Sequence, residues 1–152
     1  MRYKYDNQGL LRTFLRVSRV VHSVVGESFE SISLSSGQPA ILLYLAENDG
    51  AMQMDIATAL CIRPATATVN LRNMVKHRLV YKQTDTIDLR VTRVYITERG
   101  RVLLKDIMRV QNQMQEQIFT GFSPEERERL MGDIARMNEN ALAIYRKPTV
   151  RE

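Results

Sequence analysis

A change of hydrophobic period near residue 79 constrains this chain more than any other feature. From Pro64 onward, Ala67, Leu71, Met74, Val75 and Arg78 recur at i, i+4, i+7, i+8 and i+11. This predicts a helix with one side packed inward and Arg78 at its end. Pro64 suits the first turn of such a helix, where its missing N–H is not needed. Directly afterwards, Val80-Tyr81-Lys82-Gln83 and Thr92-Arg93-Val94-Tyr95-Ile96 are β-branched and aromatic runs, the composition of strands. The polar segment TDTIDLRV between them predicts an antiparallel hairpin.

The flanking sequence reads as helices. Residues 8–28 carry Leu10, Leu11, Phe14, Val17, Val21, Val24 and Val25 on a broad apolar stripe. That stripe is wider than one neighbour in the same chain needs, which predicts a second contact such as a partner subunit. Residues 37–47 predict a shorter helix closed by the turn Asn48-Asp49-Gly50. Residues 53–60 predict another, with Ile56, Ala57 and Leu60 inward. Thr97 is placed as the N-cap of a long helix over 98–119 that carries Val102, Leu103, Ile107, Val110, Met114 and Ile118. Ser123-Pro124-Glu125-Glu126 combines a capping box with proline at the first helical position. The helix it opens is expected to reach about Tyr145, before a short charged tail from Lys147-Pro148. The expected fold is mainly α with a small β-hairpin, and 152 residues fit a single chain unit over 1–152.

Charge is concentrated rather than spread. Residues 63–105 hold ten lysines and arginines against three acidic residues, while the remainder holds twelve against fourteen. A basic block between near-neutral ends is an electrostatic footprint for a polyanion. No run approaches the ~18 apolar residues of a membrane helix. The start, MRYKYDNQGLLRTFLRV, lacks the apolar block of a secretory signal, and Cys61 is the one cysteine, so a reducing cytoplasm is the expected compartment. Cys61 lies in Ala-Leu-Cys-Ile and is expected to be a small buried hydrophobe.

Catalysis has little material. His22 and His77 have no serine, cysteine or carboxylate spaced for a triad or metal site, and the seven glycines form no phosphate loop. No catalytic residue, metal or cofactor is expected. DNA recognition fits better, because two short helices joined by a turn at about Leu60–Arg63 have the build of a helix-turn-helix. On the second helix, Ala65, Thr66, Val69, Arg72, Asn73 and Lys76 project opposite the packed side. The small residues allow close approach, and Thr66 or Val69 can meet a thymine methyl. Arg72 matches guanine, Asn73 matches adenine, and Lys76 matches a phosphate. The basic hairpin tip can reach the adjacent minor groove. The competing reading of this basic face is a winged-helix protein-interaction module.

These elements resemble a MarR-type winged helix-turn-helix regulator. The resemblance is carried by Gln38-Pro39-Ala40-Ile41-Leu42, Glu47-Asn48-Asp49-Gly50, Gln53-Met54-Asp55-Ile56-Ala57 and Pro64-Ala65-Thr66. It continues through Leu71, Met74, Leu79-Val80, Asp88-Leu89-Arg90 and Thr97-Glu98-Arg99-Gly100. It implies a DNA-binding domain over 34–100 and a helical dimerisation region over 1–30 and 101–146. It further implies a homodimeric repressor on a palindromic double-stranded operator, with helix 64–77 in the major groove. Wing 84–91, bearing Asp88 and Arg90, would lie in the minor groove. Release by a small aromatic or phenolic effector is also implied. Read from the residues themselves, Ser18, His22 and Tyr44 are either polar groups for such an effector or ordinary packing residues. Two positions depart from the family pattern: Arg63 stands where a good N-cap is usual, and Arg78 stands where glycine is usual.

Overall fold

The computed structural model describes residues 9–35 and 37–145. Among these the order is α1 (Leu10–Glu30), α2 (Gln38–Glu47), β1 (Ala51–Met52), α3 (Gln53–Ala59), α4 (Pro64–Lys76), β2 (Val80–Thr84), β3 (Thr92–Ile96), α5 (Glu98–Ile118) and α6 (Pro124–Tyr145). Every element expected from the sequence is present, mainly α with the hairpin as its wing. The expected helix start at residue 8 and the tail from Lys147 lie outside the described residues. The chain divides into two compact units, Met1–Met114 and Gln115–Glu152, and the division falls within α5.

In the first unit the core is built by Ile41, Leu42 and Leu45 of α2, Ile56 of α3, Leu71 and Met74 of α4, and Val80, Val94 and Ile96 of the sheet. Phe29, Ile107 and Val110 extend it along α1 and α5. β2 and β3 pair antiparallel from Val80 opposite Ile96 to Thr84 opposite Thr92. The hairpin is joined by a third strand that the sequence reading lacked: β1 lies on the free edge of β3, with Ala51 opposite Val94. Asp49 fixes this corner by accepting the Ile96 N–H at 2.8 Å and an Arg101 N–H at 2.6 Å.

Three helix ends in this unit share one device. Ser33, Cys61 and Arg78 each adopt a left-handed backbone, with φ of 60°, 51° and 57°. In each case the next N–H returns to a carbonyl five residues back: Leu34 to Phe29 at 3.2 Å, Ile62 to Ala57 at 3.0 Å and Leu79 to Met74 at 2.9 Å. This is the Schellman ending, in which an apolar contact accompanies the bonds and glycine ordinarily supplies the positive φ. Arg78 therefore takes up the conformation that its side chain disfavours, because Leu79 is drawn into the core beside Met74.

The same geometry corrects three expectations. Cys61 is exposed rather than buried, because it occupies the outward corner of the turn. Arg78 is exposed, because the helical projection stops applying after Lys76. Val75 is also exposed, since at ~100° per residue it stands about 80° from Ala67, beyond the buried arc.

Thr97 caps α5 as expected, its hydroxyl oxygen accepting the Gly100 N–H at 3.1 Å. That hydroxyl donates to the Arg78 carbonyl at 2.6 Å, tying the end of α4 to the start of α5. Gly100 is required here, because a Cβ would collide with the Leu79 carbonyl oxygen and lie 2.8 Å from Ile96 Cγ2. In the second unit the expected capping box forms: Ser123 N–H donates to Glu126 Oε2 at 2.8 Å and Glu126 N–H to Ser123 Oγ at 3.2 Å. Arg127 donates to both Glu116 carboxylate oxygens, at 2.9 and 3.3 Å, and to the Phe119 carbonyl at 3.1 Å.

Candidate nucleic-acid interface

On α4, Ala67, Leu71 and Met74 are fully buried, which fixes the rotation of the helix. The six residues expected to read DNA (Ala65, Thr66, Val69, Arg72, Asn73 and Lys76) are all exposed on the other side. No side-chain hydrogen bond or ion pair holds Arg72, Asn73 or Lys76 to other described residues. Three donor-bearing groups thus stand unpaired on one helix face. Arg63 is the N-cap residue and its side chain makes no capping bond, so this departure leaves the helix start uncapped.

A chain of side chains that sequence reasoning missed holds α4 to its neighbours. The Thr68 hydroxyl donates to the Pro64 carbonyl at 2.9 Å, and Gln53 Nε2 donates to Thr68 Oγ1 at 2.7 Å. Lys82 Nζ completes it by donating to Gln53 Oε1 at 2.8 Å. The start of α3, the first turns of α4 and strand β2 are thereby pinned together. Nothing in the local pattern marks Gln53 or Lys82 for this, since each is an ordinary polar residue, Gln53 half-buried at the start of α3 and Lys82 exposed on β2.

The wing is shaped by its own carboxylates. Asp85 accepts from the Arg93 guanidinium, from the Ile87 N–H at 2.8 Å and from the Asp88 N–H at 3.2 Å. The Arg93 bond, followed by the two backbone N–H groups, lowers the Asp85 carboxyl from 3.8 to about 2. Asp88 Oδ1 accepts the Arg90 N–H at 3.0 Å, so the implied Asp-x-Arg pairing runs through the Arg90 backbone and leaves its guanidinium exposed. Arg93 also donates to the Gly50 carbonyl at 3.1 Å, anchoring the wing to the turn before β1.

A cleft of about 570 Å³ adjoins the exposed end of α4. Leu34, Leu79, Val102 and Leu103 give it an apolar lining, and Asn73, Lys76, His77 and Arg99 supply polar and cationic groups. Ser18 and His22 lie elsewhere, exposed on α1, and Tyr44 is half-buried against the core, so the sequence-derived trio does not line this cleft. Among the described residues, no cluster of histidine, cysteine and carboxylates could hold a metal.

Residues 24–107 match the family described as transcriptional regulator SarA/Rot. The chain is a MarR-type winged helix-turn-helix transcriptional regulator of that family. The regulator is 23% identical over 131 residues to the uncharacterized HTH-type transcriptional regulator YybA of Bacillus subtilis strain 168, covering 86% of this chain and 87% of the relative. Its fold matches a MarR transcriptional regulator from Methanosarcina mazei Go1 with a TM-score of 0.82 and 26% identity, over 91% of this chain and 99% of the other. It also matches a MarR family regulator from Listeria monocytogenes complexed with 26mer DNA, with a TM-score of 0.83 and 23% identity, over 100% and 99% of the two chains. The matched family and these relatives are transcriptional regulators, not enzymes.

Proposed function

We propose that the regulator binds a palindromic operator as a homodimer and represses transcription from it, in the cytoplasm. The observation that carries this reading is the row of Arg72, Asn73 and Lys76, unpaired on the outward face of a helix whose rotation is fixed by three buried residues. Arg72 and Asn73 read base edges, Thr66 and Val69 meet thymine methyls, Ala65 permits close approach and Lys76 meets a phosphate. Arg90, positioned through Asp88, enters the flanking minor groove. The domain assignment is residues 34–100 for DNA binding and 1–30 with 101–146 for dimerisation. The wide uncovered apolar face of α1, with Leu10, Leu11, Phe14, Val17 and Val24 all exposed, supports a helical partner there.

Selection of bound sequences from a random duplex pool by the full-length protein tests this. The expected product is an inverted repeat with half-site centres about 10 bp apart or a multiple of that. Absence of any preference over scrambled DNA would favour the protein-interaction reading instead.

For release, the cleft beside α4 offers an aromatic or phenolic effector an apolar seat, and an occupant there would crowd Asn73 and Lys76. The competing position is Ser18, His22 and Tyr44. A thermal-shift screen with aromatic acids and phenols separates the two: Arg99→Ala abolishes the shift if the cleft is the site, and His22→Ala together with Tyr44→Phe abolishes it if the trio is.

A further inference from the structure

The wing tip carries two aliphatic side chains that stand largely uncovered among the described residues. Ile87 is 96% exposed and Leu89 78% exposed, on a segment where an ordinary turn would use polar residues. They do not hang on a loose loop. The Asp85 N–H donates to the Val91 carbonyl and the Val91 N–H to the Asp88 carbonyl, both at 2.9 Å, so the tip is closed by its own backbone. Asp85 and Asp88 turn their carboxylates onto the N–H groups of Ile87, Asp88 and Arg90. Asp85 is further occupied by Arg93. The Asp85 carboxylate is thus folded back into the loop, while Ile87, Leu89 and the Arg90 guanidinium are exposed at the tip beside Thr86 and Asp88.

We propose that Ile87 is a minor-groove wedge, which enters between base pairs beside Arg90 and bends the operator where the wing lands. The proposal rests on the reading of the wing as a minor-groove element and adds to it an apolar contact and a DNA deformation. Two features favour DNA as the occupant. Arg90, Val91 and Thr92 share a shallow depression with Gln53, Met54 and Pro64, so the wing and the entry to the reading helix lie on one continuous face. A guanidinium flanked by aliphatic groups also matches the minor groove, which is negative at its floor and lined by sugar rings along its walls. Aliphatic side chains inserted at a base step unstack it and kink the duplex, most cheaply at the flexible TA and CA steps.

The experiment uses the full-length protein on its selected operator, labelled at both ends so that energy transfer reports the bend. Ile87→Ala is expected to bind roughly tenfold more weakly and to bend the DNA less. Its order of preference among half-site sequences should stay the same. Replacing a flanking TA step by a G·C step should weaken the parent protein and leave Ile87→Ala nearly unaffected. Because the Ile87 side chain is almost fully exposed, an unchanged melting temperature is the expected control. If Arg90→Ala weakens binding while Ile87→Ala alters neither affinity nor bend, the wedge is wrong and the wing reading stands. If neither variant matters, both fall. If Ile87→Ala binds and bends DNA as the parent does yet loses regulation in cells, the tip docks a protein and the proposal is overturned.

Discussion

Arg72 and Lys76 stand one helical turn apart on the exposed side of α4, but the chemistry available to them differs. A guanidinium can make paired bonds to a guanine edge, whereas an ammonium acts as a point charge toward phosphate. Arg72→Ala should therefore cost about 1–3 kcal/mol on the best operator and relax preference at one base pair. Lys76→Ala should weaken all sequences by a similar factor; binding titrations on a panel of single-base operator variants distinguish the two. A paired prediction concerns backbone conformation. Arg78→Gly removes a left-handed strain of about 1–2 kcal/mol but frees the unfolded chain, so a net gain of roughly 0.5 kcal/mol is expected in urea unfolding. Gly100→Ala drives a methyl into the Leu79 carbonyl and should lose about 2–3 kcal/mol in the same assay. An unaltered Gly100→Ala would mean that the contact between the end of α4 and the start of α5 is looser than described.

At the scale of elements, the wing offers a pH test. Because the folded Asp85 carboxyl titrates near 2 rather than 3.8, its ionised form favours the closed tip. That contribution is fully present above about pH 4 and is lost as pH falls through about 2. The amide signals of Ile87 and Asp88 should shift together in that window, and Arg93→Ala should move the midpoint back toward the ordinary carboxylate value. α4 was legible in the sequence because one unbroken row, Ala67, Leu71 and Met74, sets its rotation, and that rotation turns Ala65, Thr66, Val69, Arg72, Asn73 and Lys76 outward. β1 was not legible: two residues between a turn and a helix are too short to show a period. Cys61 was misread because its apolar neighbours describe the surrounding helices, whereas a left-handed corner points its own side chain outward. The Lys82–Gln53 and Arg101–Asp49 bonds join residues 29 and 52 positions apart, a link that the local pattern does not encode.

For the whole molecule, the exposed face of α1 is the expected site of self-association. Phe14→Glu combined with Val17→Glu should yield a monomer in sedimentation and weaken operator binding on the order of a hundredfold, through loss of the second half-site. A dimer that survives this change would place the interface elsewhere.

The basic block itself is less available than its composition implies. Of the ten cationic side chains in residues 63–105, Arg93 is neutralised by Asp85 and Arg101 by Asp49. Binding to DNA releases counterions in proportion to the phosphates actually neutralised. The logarithm of affinity should therefore fall with the logarithm of salt concentration with a slope no steeper than roughly −7 per protomer from this block, rather than the roughly −9 that a charge count gives. The cations that hold the reading head together are withdrawn from the electrostatic grip, and the protein gains rigidity there at the expense of salt sensitivity.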